Sequence, residues 1–348
     1  MLRRFTAILC TMIMIFPFLT ACRSAEGKPL TGTFFMFDTV VSVSLYDTED
    51  ENLLEECRSF LEGYEDVFSA TRETSELYRV NHSEFAEGKD ILISEDLFNA
   101  IARSLEWCEL TEGRFDITIR PVSQLYVFPT DNFEPPSPES IEEALTHVSY
   151  KNISVCEKNG DFFLHTGAPG IMLDLGAVSK GYISDRLKEF LIGKGIKSAV
   201  IDLGGNIMCI GGKKLGNGEE EAFNIGIYDP LNPGNEQADS ESDGSGSVVL
   251  KIYDECVITS GIYQRSAEKD GVLYHHILDA RTGFPAAGNV EAVSVVCREG
   301  IMGDILSTSL FLLAQDEIKA KLPEDTGVMY LYRDGSREYD GIFKEMLR

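Results

Sequence analysis

The chain has 348 residues, enough for one large domain or two modest ones with ample material for a core. Its 57 acidic and 31 basic residues give a formal charge of −26, which disfavours nucleic acids and anionic lipid surfaces as partners because their phosphates would be repelled. An anionic small substrate would need a local cation, so metal ligands deserve a search.

The first segment reads as a signal. Arg3 and Arg4 precede "FTAILCTMIMIFPFL", a run broken by Pro17 and too short for a comfortable transmembrane span, which ends in "LTAC" at Leu19–Cys22. That ending resembles a bacterial lipobox. It predicts a lipoprotein signal over residues 1–21, lipidation of Cys22, a tether over 22–31 and a globular part over 32–348. The protein is then exported and anchored to the membrane by lipid on its extracytoplasmic face; losing Arg3 and Arg4 takes its charge to about −28. The alternatives are an uncleaved anchor or a chance Cys at position 22.

Residues 34–46 form a β-rich run, with Val41, Val43 and Leu45 alternating with serines. A helical stripe follows over 50–68, and a second over 95–111 with Ser94 as N-cap and Gly113 closing it. Ser137–Pro138 opens a third helix. "KNGD" at 158–161 predicts a hairpin turn. In "MLDLGAVSKGYISDRLKEFL" (172–191) a strand ending at Leu175 leads through a turn into a helix. Residues 198–212 give the next strand and turn, 231–247 an acidic surface loop, 247–261 and 289–297 strands, 301–315 a helix, and 328–341 a closing hairpin. Strands and helices do not alternate regularly, so an α+β fold with a largely antiparallel central sheet flanked by helices is expected.

Eight cysteines occur without a C-x-x-C pair, and the six beyond Cys22 sit singly at apolar positions, which reads as mostly free buried thiols. Five histidines give little support to a His-rich metal site.

Three segments carry chemistry. In "DLGAVSKGYISD", Gly176 and Gly181 fit neither the dinucleotide fingerprint nor the Walker loop; the turn suits either an anion at the helix start or packing alone. In "VLYHHILDARTG", alternation sends His275 and His276 to opposite faces, leaving one for a site or for solvent. In "GDILSTSLFL", Asp304 and Thr308 are i and i+4 neighbours, a hard-oxygen pair suited to Mg²⁺ or simply a helix-start acid beside a filler.

Together with "FMFDT", "TSELYRVN" and "GRFDITIRPVSQLY", these segments occur in the order of the ApbE-type FAD:protein FMN transferases, which the chain resembles from about residue 31 to 335. The resemblance implies a T-fold-like α+β domain that cleaves FAD with Mg²⁺, passes FMN to a Ser or Thr hydroxyl of an exported or membrane flavoprotein subunit, and releases AMP. Carried onto matching positions, it implies Mg²⁺ ligands at the Ala177 carbonyl, Asp304 and Thr308. It implies FAD contacts at Met36, Thr71, Arg114, Phe115, Asp116, Asp174, Lys180 and Leu278, with His276 as general base on the acceptor hydroxyl. Thr71 and "LYVF" at 125–128 depart from the family's usual larger residue and aromatic-Gly-Phe. A Mg²⁺-dependent FAD pyrophosphatase and a non-catalytic flavin-binding lipoprotein are the competing readings.

Overall fold

The computed structural model describes residues 28–82, 90–128, 133–214, 219–232, 248–313 and 322–348. The expected signal, Cys22, most of the tether and most of the acidic loop lie outside the described residues.

An eight-stranded sheet forms the centre, antiparallel at every pairing. Its spatial order is Leu30–Met36, Thr39–Leu45, Ala199–Leu203, Asn206–Ile210, Cys256–Gly261, Val290–Cys297, Gly327–Tyr332 and Arg337–Gly341. The helices are α1 (Glu51–Phe68), α2 (Glu76–His82), α3 (Glu95–Leu110), α4 (Arg120–Ser123), α5 (Pro138–Leu145), α6 (Ser179–Gly193) and α7 (Gly300–Leu312). Alternation along the central strands divides the apolar side chains between two layers. Cys256 and Ile258 face a large core shared with α1, α3, α6 and α7, while Val257 and Val296 face a smaller core closed by the hairpin of Phe223–Ile227 and Val248–Ile252 with Phe343.

Local chemistry sets several element ends. Asp50 accepts from Asn52 N–H (3.1 Å), Ser94 from Leu97 N–H (3.2 Å) and Ser137 from Ser140 N–H (3.2 Å), each satisfying an otherwise orphaned donor at a helix start. The "KNGD" turn has Asn159 and Gly160 both at positive φ (57° and 87°), as a two-residue hairpin of this twist requires.

Three segments differ from the sequence expectation. The run before α6 is extended but is no strand: it makes one isolated bridge, Ile119 to Met172. The side-chain amide of Asn81 takes the ladder's place, accepting from Leu173 N–H (2.7 Å) and donating to Leu173 C=O (2.8 Å). The 34–46 run is folded back on itself at Phe37–Asp38, two non-glycine residues at φ 54° and 57°. Glu65 on α1 holds that turn by accepting from Phe37 N–H at 2.8 Å. Residues 198–212 give two strands rather than one, reversing at Gly204–Gly205. The described cysteines are all free, as expected, and all but Cys156 are buried.

Candidate functional site

Helices α6 and α7 cross at their N-terminal turns, and two glycines let them touch. A Cβ on Gly181 would lie 2.5 Å from the Gly300 carbonyl carbon and 2.9 Å from Asp304 Cβ; one on Gly300 would lie 2.5 Å from Gly181 O. At this crossing the Gly181 N–H donates to Asp304 Oδ2 at 2.8 Å. The anion drawn to the start of α6 is therefore the protein's own carboxylate. Asp185, further along α6, caps α7 by accepting from Gly300 N–H (2.6 Å) and Ile301 N–H (2.9 Å). Burial pushes the Asp185 carboxyl up to about 6, against the pull of those two bonds.

Above the crossing opens a cavity of about 1020 Å³, at the upper end of the range for a ligand pocket. Its floor includes Ala177, Lys180, Asp304 and Thr308. Asp304 is 4% exposed, has no Lys or Arg partner among the described residues, and receives a second hydrogen bond from Asn206 Nδ2 at 2.8 Å. A buried carboxylate balanced only by neutral donors is a poor resting arrangement without a cation. Thr308, one turn along, shares a hydrogen bond with Ser260 Oγ at 3.1 Å. No cluster of three His, Cys, Asp or Glu able to hold a metal exists among the described residues. The available donors are one carboxylate, one hydroxyl and a main-chain carbonyl: hard oxygens that suit Mg²⁺ and not zinc.

The hairpin of Ser266–Lys269 and Val272–His275 presents the two histidines differently. His275 is buried, edge-on to Phe311, with Nδ1 lacking a partner. His276 lines the cavity. Its Nδ1 lies 3.2 Å from the Arg265 carbonyl, which only accepts, so Nδ1 carries the hydrogen and Nε2 keeps its lone pair. Burial, with Arg265 and Lys180 nearby, lowers its pKa to about 4, so the ring is neutral near pH 7.

The other expected residues divide. Arg114 lines the cavity, bonds Leu312 C=O (3.2 Å) and sits 3.9 Å from Asp279. Asp116 also borders it, but both carboxylate oxygens are engaged with Thr118 N–H and Oγ1 (2.8 and 2.7 Å) and Tyr150 N–H (2.8 Å); burial raises its pKa. Asp174 accepts from Ser123 Oγ (2.6 Å) and Gly176 N–H (3.0 Å), with Arg120 at 3.7 Å. Phe115, Leu278 and the exposed Thr71 lie on the walls. Met36 does not: it is buried in the core, and the turn after it, Phe37–Thr39, reaches the cavity instead. Sequence reasoning passed over Asn206, Ser123, Arg120 and Arg265; of these only Asn206 had a visible signal, a polar residue at a core position directly after Gly-Gly.

An α+β protein with a central eight-stranded antiparallel sheet and a large cavity over two crossed helices is the class that fold and site define. The ApbE family profile matches residues 37–331. This chain belongs to the ApbE family. It is 33% identical over 292 residues to the FAD:protein FMN transferase of Treponema pallidum (strain Nichols), covering 80% of this chain and 76% of that one. Identity to an FAD:protein FMN transferase of Klebsiella pneumoniae (strain 342) is 28% over 314 residues, covering 90% and 92%. The crystal structure of an ApbE protein from Thermotoga maritima superposes with a TM-score of 0.77 at 28% identity, covering 92% of this chain and all of that one. The expected family and antiparallel α+β fold therefore hold.

Proposed function

We propose that the protein is an FAD:protein FMN transferase that moves the FMN half of FAD onto a Ser or Thr hydroxyl of an acceptor protein. The observation that carries this is the meeting of a neutral imidazole and a cation-seeking carboxylate in one large cavity. Mg²⁺ would be held by the Ala177 carbonyl, Asp304 and Thr308, and when bound supplies the positive charge that the FAD diphosphate and the departing AMP require.

The chain's own groups do the rest. Lys180 offers a point charge to phosphate, and Arg114, Asp116 and Asp174 fix the wall against which the nucleotide lies. His276 Nε2 accepts the proton of the acceptor hydroxyl as that oxygen bonds to the FMN phosphorus. The phosphorus–oxygen bond to the AMP moiety breaks, and AMP leaves with the electron pair. Tyr126 and Phe128 on one segment, and the Tyr228–Tyr263 pair (ring centroids 5.4 Å apart), give flat surfaces for flavin or adenine.

The acceptor is an exported or membrane-held flavoprotein subunit, and this protein meets it from a lipid anchor on Cys22. The support for that placement is the basic-apolar-"LTAC" order of the first 22 residues. Incubation with FAD, Mg²⁺ and an acceptor domain bearing the target hydroxyl should yield a fluorescent acceptor heavier by FMN less one water, and a matching amount of AMP. An unlabelled acceptor with FAD intact refutes the assignment; AMP release at a rate indifferent to the acceptor reassigns it to hydrolysis.

A further inference from the structure

We infer that Asn206 is a positioning residue for Asp304: its amide fixes the carboxylate in the orientation that receives the divalent cation, and so sets metal affinity without touching the metal. The inference rests on the metal role proposed above for Asp304. Asn206 opens the strand Asn206–Ile210, whose side chains on the same face are Met208 and Ile210, both buried and apolar. An amide at such a position, 3% exposed, is retained only where its donors find a partner. The partner is Asp304 Oδ1, 2.8 Å away.

Asn206 is held rigidly. Gly204 and Gly205 reverse the chain at φ 67° and 92°, a pair that fixes hairpin register. Gly204 packs so closely on Thr39 that a Cβ there would fall 2.8 Å from Thr39 Cβ. On its other side the strand pairs Asn206 with Ile258. The two oxygens of Asp304 are thus each held by a donor from a separate element, Gly181 N–H at 2.8 Å and Asn206 Nδ2 at 2.8 Å. A carboxylate has about four acceptor sites, so each oxygen keeps a lone pair for a cation. Deleting the amide leaves the group pinned at one oxygen and free to turn. Outer partners of metal ligands commonly change metal affinity by about 10–100-fold.

The test uses Asn206→Leu, which keeps the number and branching of side-chain heavy atoms without the polar groups, and Asn206→Ala, each titrated calorimetrically with Mg²⁺ alone and, separately, with FAD in chelator. The expected result is a metal Kd raised at least about tenfold in both variants, with FAD binding in chelator within about twofold of the parent. In turnover, the Mg²⁺ concentration for half-maximal rate rises by the same factor, and the rate at saturating Mg²⁺ recovers to within about threefold. Melting in chelator identifies a misfolded variant, and the other then decides. A metal Kd unchanged in the folded variants overturns the inference, as does loss of FAD affinity at unchanged metal Kd, which would make Asn206 a flavin contact. If the parent binds Mg²⁺ in an Asn206-dependent way yet labels no acceptor, the transferase reading fails and this inference stands.

Discussion

Gly181→Ala tests the helix crossing on which the site is built. The added methyl group would lie 2.5 Å from the Gly300 carbonyl carbon, closer still to its oxygen, and 2.9 Å from Asp304 Cβ, whereas ordinary contact begins near 3.4 Å. The obstacle is backbone, so no side chain can swing aside; α7 must retreat by about 1 Å. That retreat takes the 2.8 Å bond from Gly181 N–H to Asp304 out of hydrogen-bond range. Overpacking costs about 1–3 kcal/mol, and the broken bond to a buried carboxylate about 1–3 more. The better helix propensity of Ala returns about 1 kcal/mol, leaving a net loss of about 1–5 kcal/mol. For a chain of this size that lowers Tm by roughly 2–7 °C. Gly63→Ala is the internal control: Gly63 lies within α1 with nothing within 4 Å of its would-be Cβ, so it should stabilise by about 0.5–1 kcal/mol. Thermal melts with Mg²⁺ and with chelator read both variants. Equal stability of Gly181→Ala and parent would show that the helices do not cross as described.

Other outcomes follow from the same geometry. His276→Ala should leave FAD binding within about threefold while lowering transfer by about 10²–10⁴; loss of binding with unchanged transfer per bound FAD contradicts the base role. Because the His276 pKa is lowered to about 4, the neutral base persists on acidification, and the acid limb of kcat/KM should fall near pH 4 and not near 6.5. By linkage, a depressed histidine pKa contributes stability that is present above about pH 6.5 and is lost as pH falls towards 4, which urea midpoints across that window would register. Asp185→Ala strips two backbone N–H groups of their acceptor at the start of α7, and should cost about 1–2 kcal/mol in denaturant unfolding and weaken Mg²⁺ binding. Asp304→Asn should abolish calorimetrically detectable Mg²⁺ binding while the chain still folds, since an amide can keep the Gly181 bond.

Features written in local spacing were readable from the sequence. Ser94, Asp50 and Ser137 mark their helices because a capping side chain acts within three residues. Alternation separated a buried His275 from a cavity-lining His276, and i, i+4 spacing put Asp304 and Thr308 on one helix. Features that depend on distant partners were not readable. The Phe37–Asp38 turn has only Asp38 as a turn former, and the Phe37 N–H beside it is held by Glu65, 28 positions away. The run ending at Leu175 has strand composition, yet its backbone is satisfied by an Asn81 side chain 92 positions away. Gly181 drew attention as a possible anion turn; its necessity comes from Gly300, which no local pattern reveals.

The charge distribution of the cavity supports the cation proposed at Asp304. Arg114, Arg120, Lys180 and Arg265 line it, but so do Asp38, Glu65, Asp116, Asp174 and Asp304, so the acids outnumber the bases. Arg120 stands 3.7 Å from Asp174 and Arg114 stands 3.9 Å from Asp279, leaving Lys180 and Arg265 without a carboxylate partner among the described residues. Two unpaired side-chain cations in a cavity that also holds a buried Asp304 do not make a pocket that attracts a dianionic diphosphate into a chain of formal charge −26. The divalent ion proposed at Asp304 would reverse that sign locally and leave the rest of the surface acidic. The same arithmetic explains the neutral His276: an imidazolium would serve attraction, but Lys180, Arg265 and burial hold the ring unprotonated, which keeps Nε2 free to take a proton. In the proposed mechanism, binding charge and base therefore fall to different groups, and neither has to change state for the other to act.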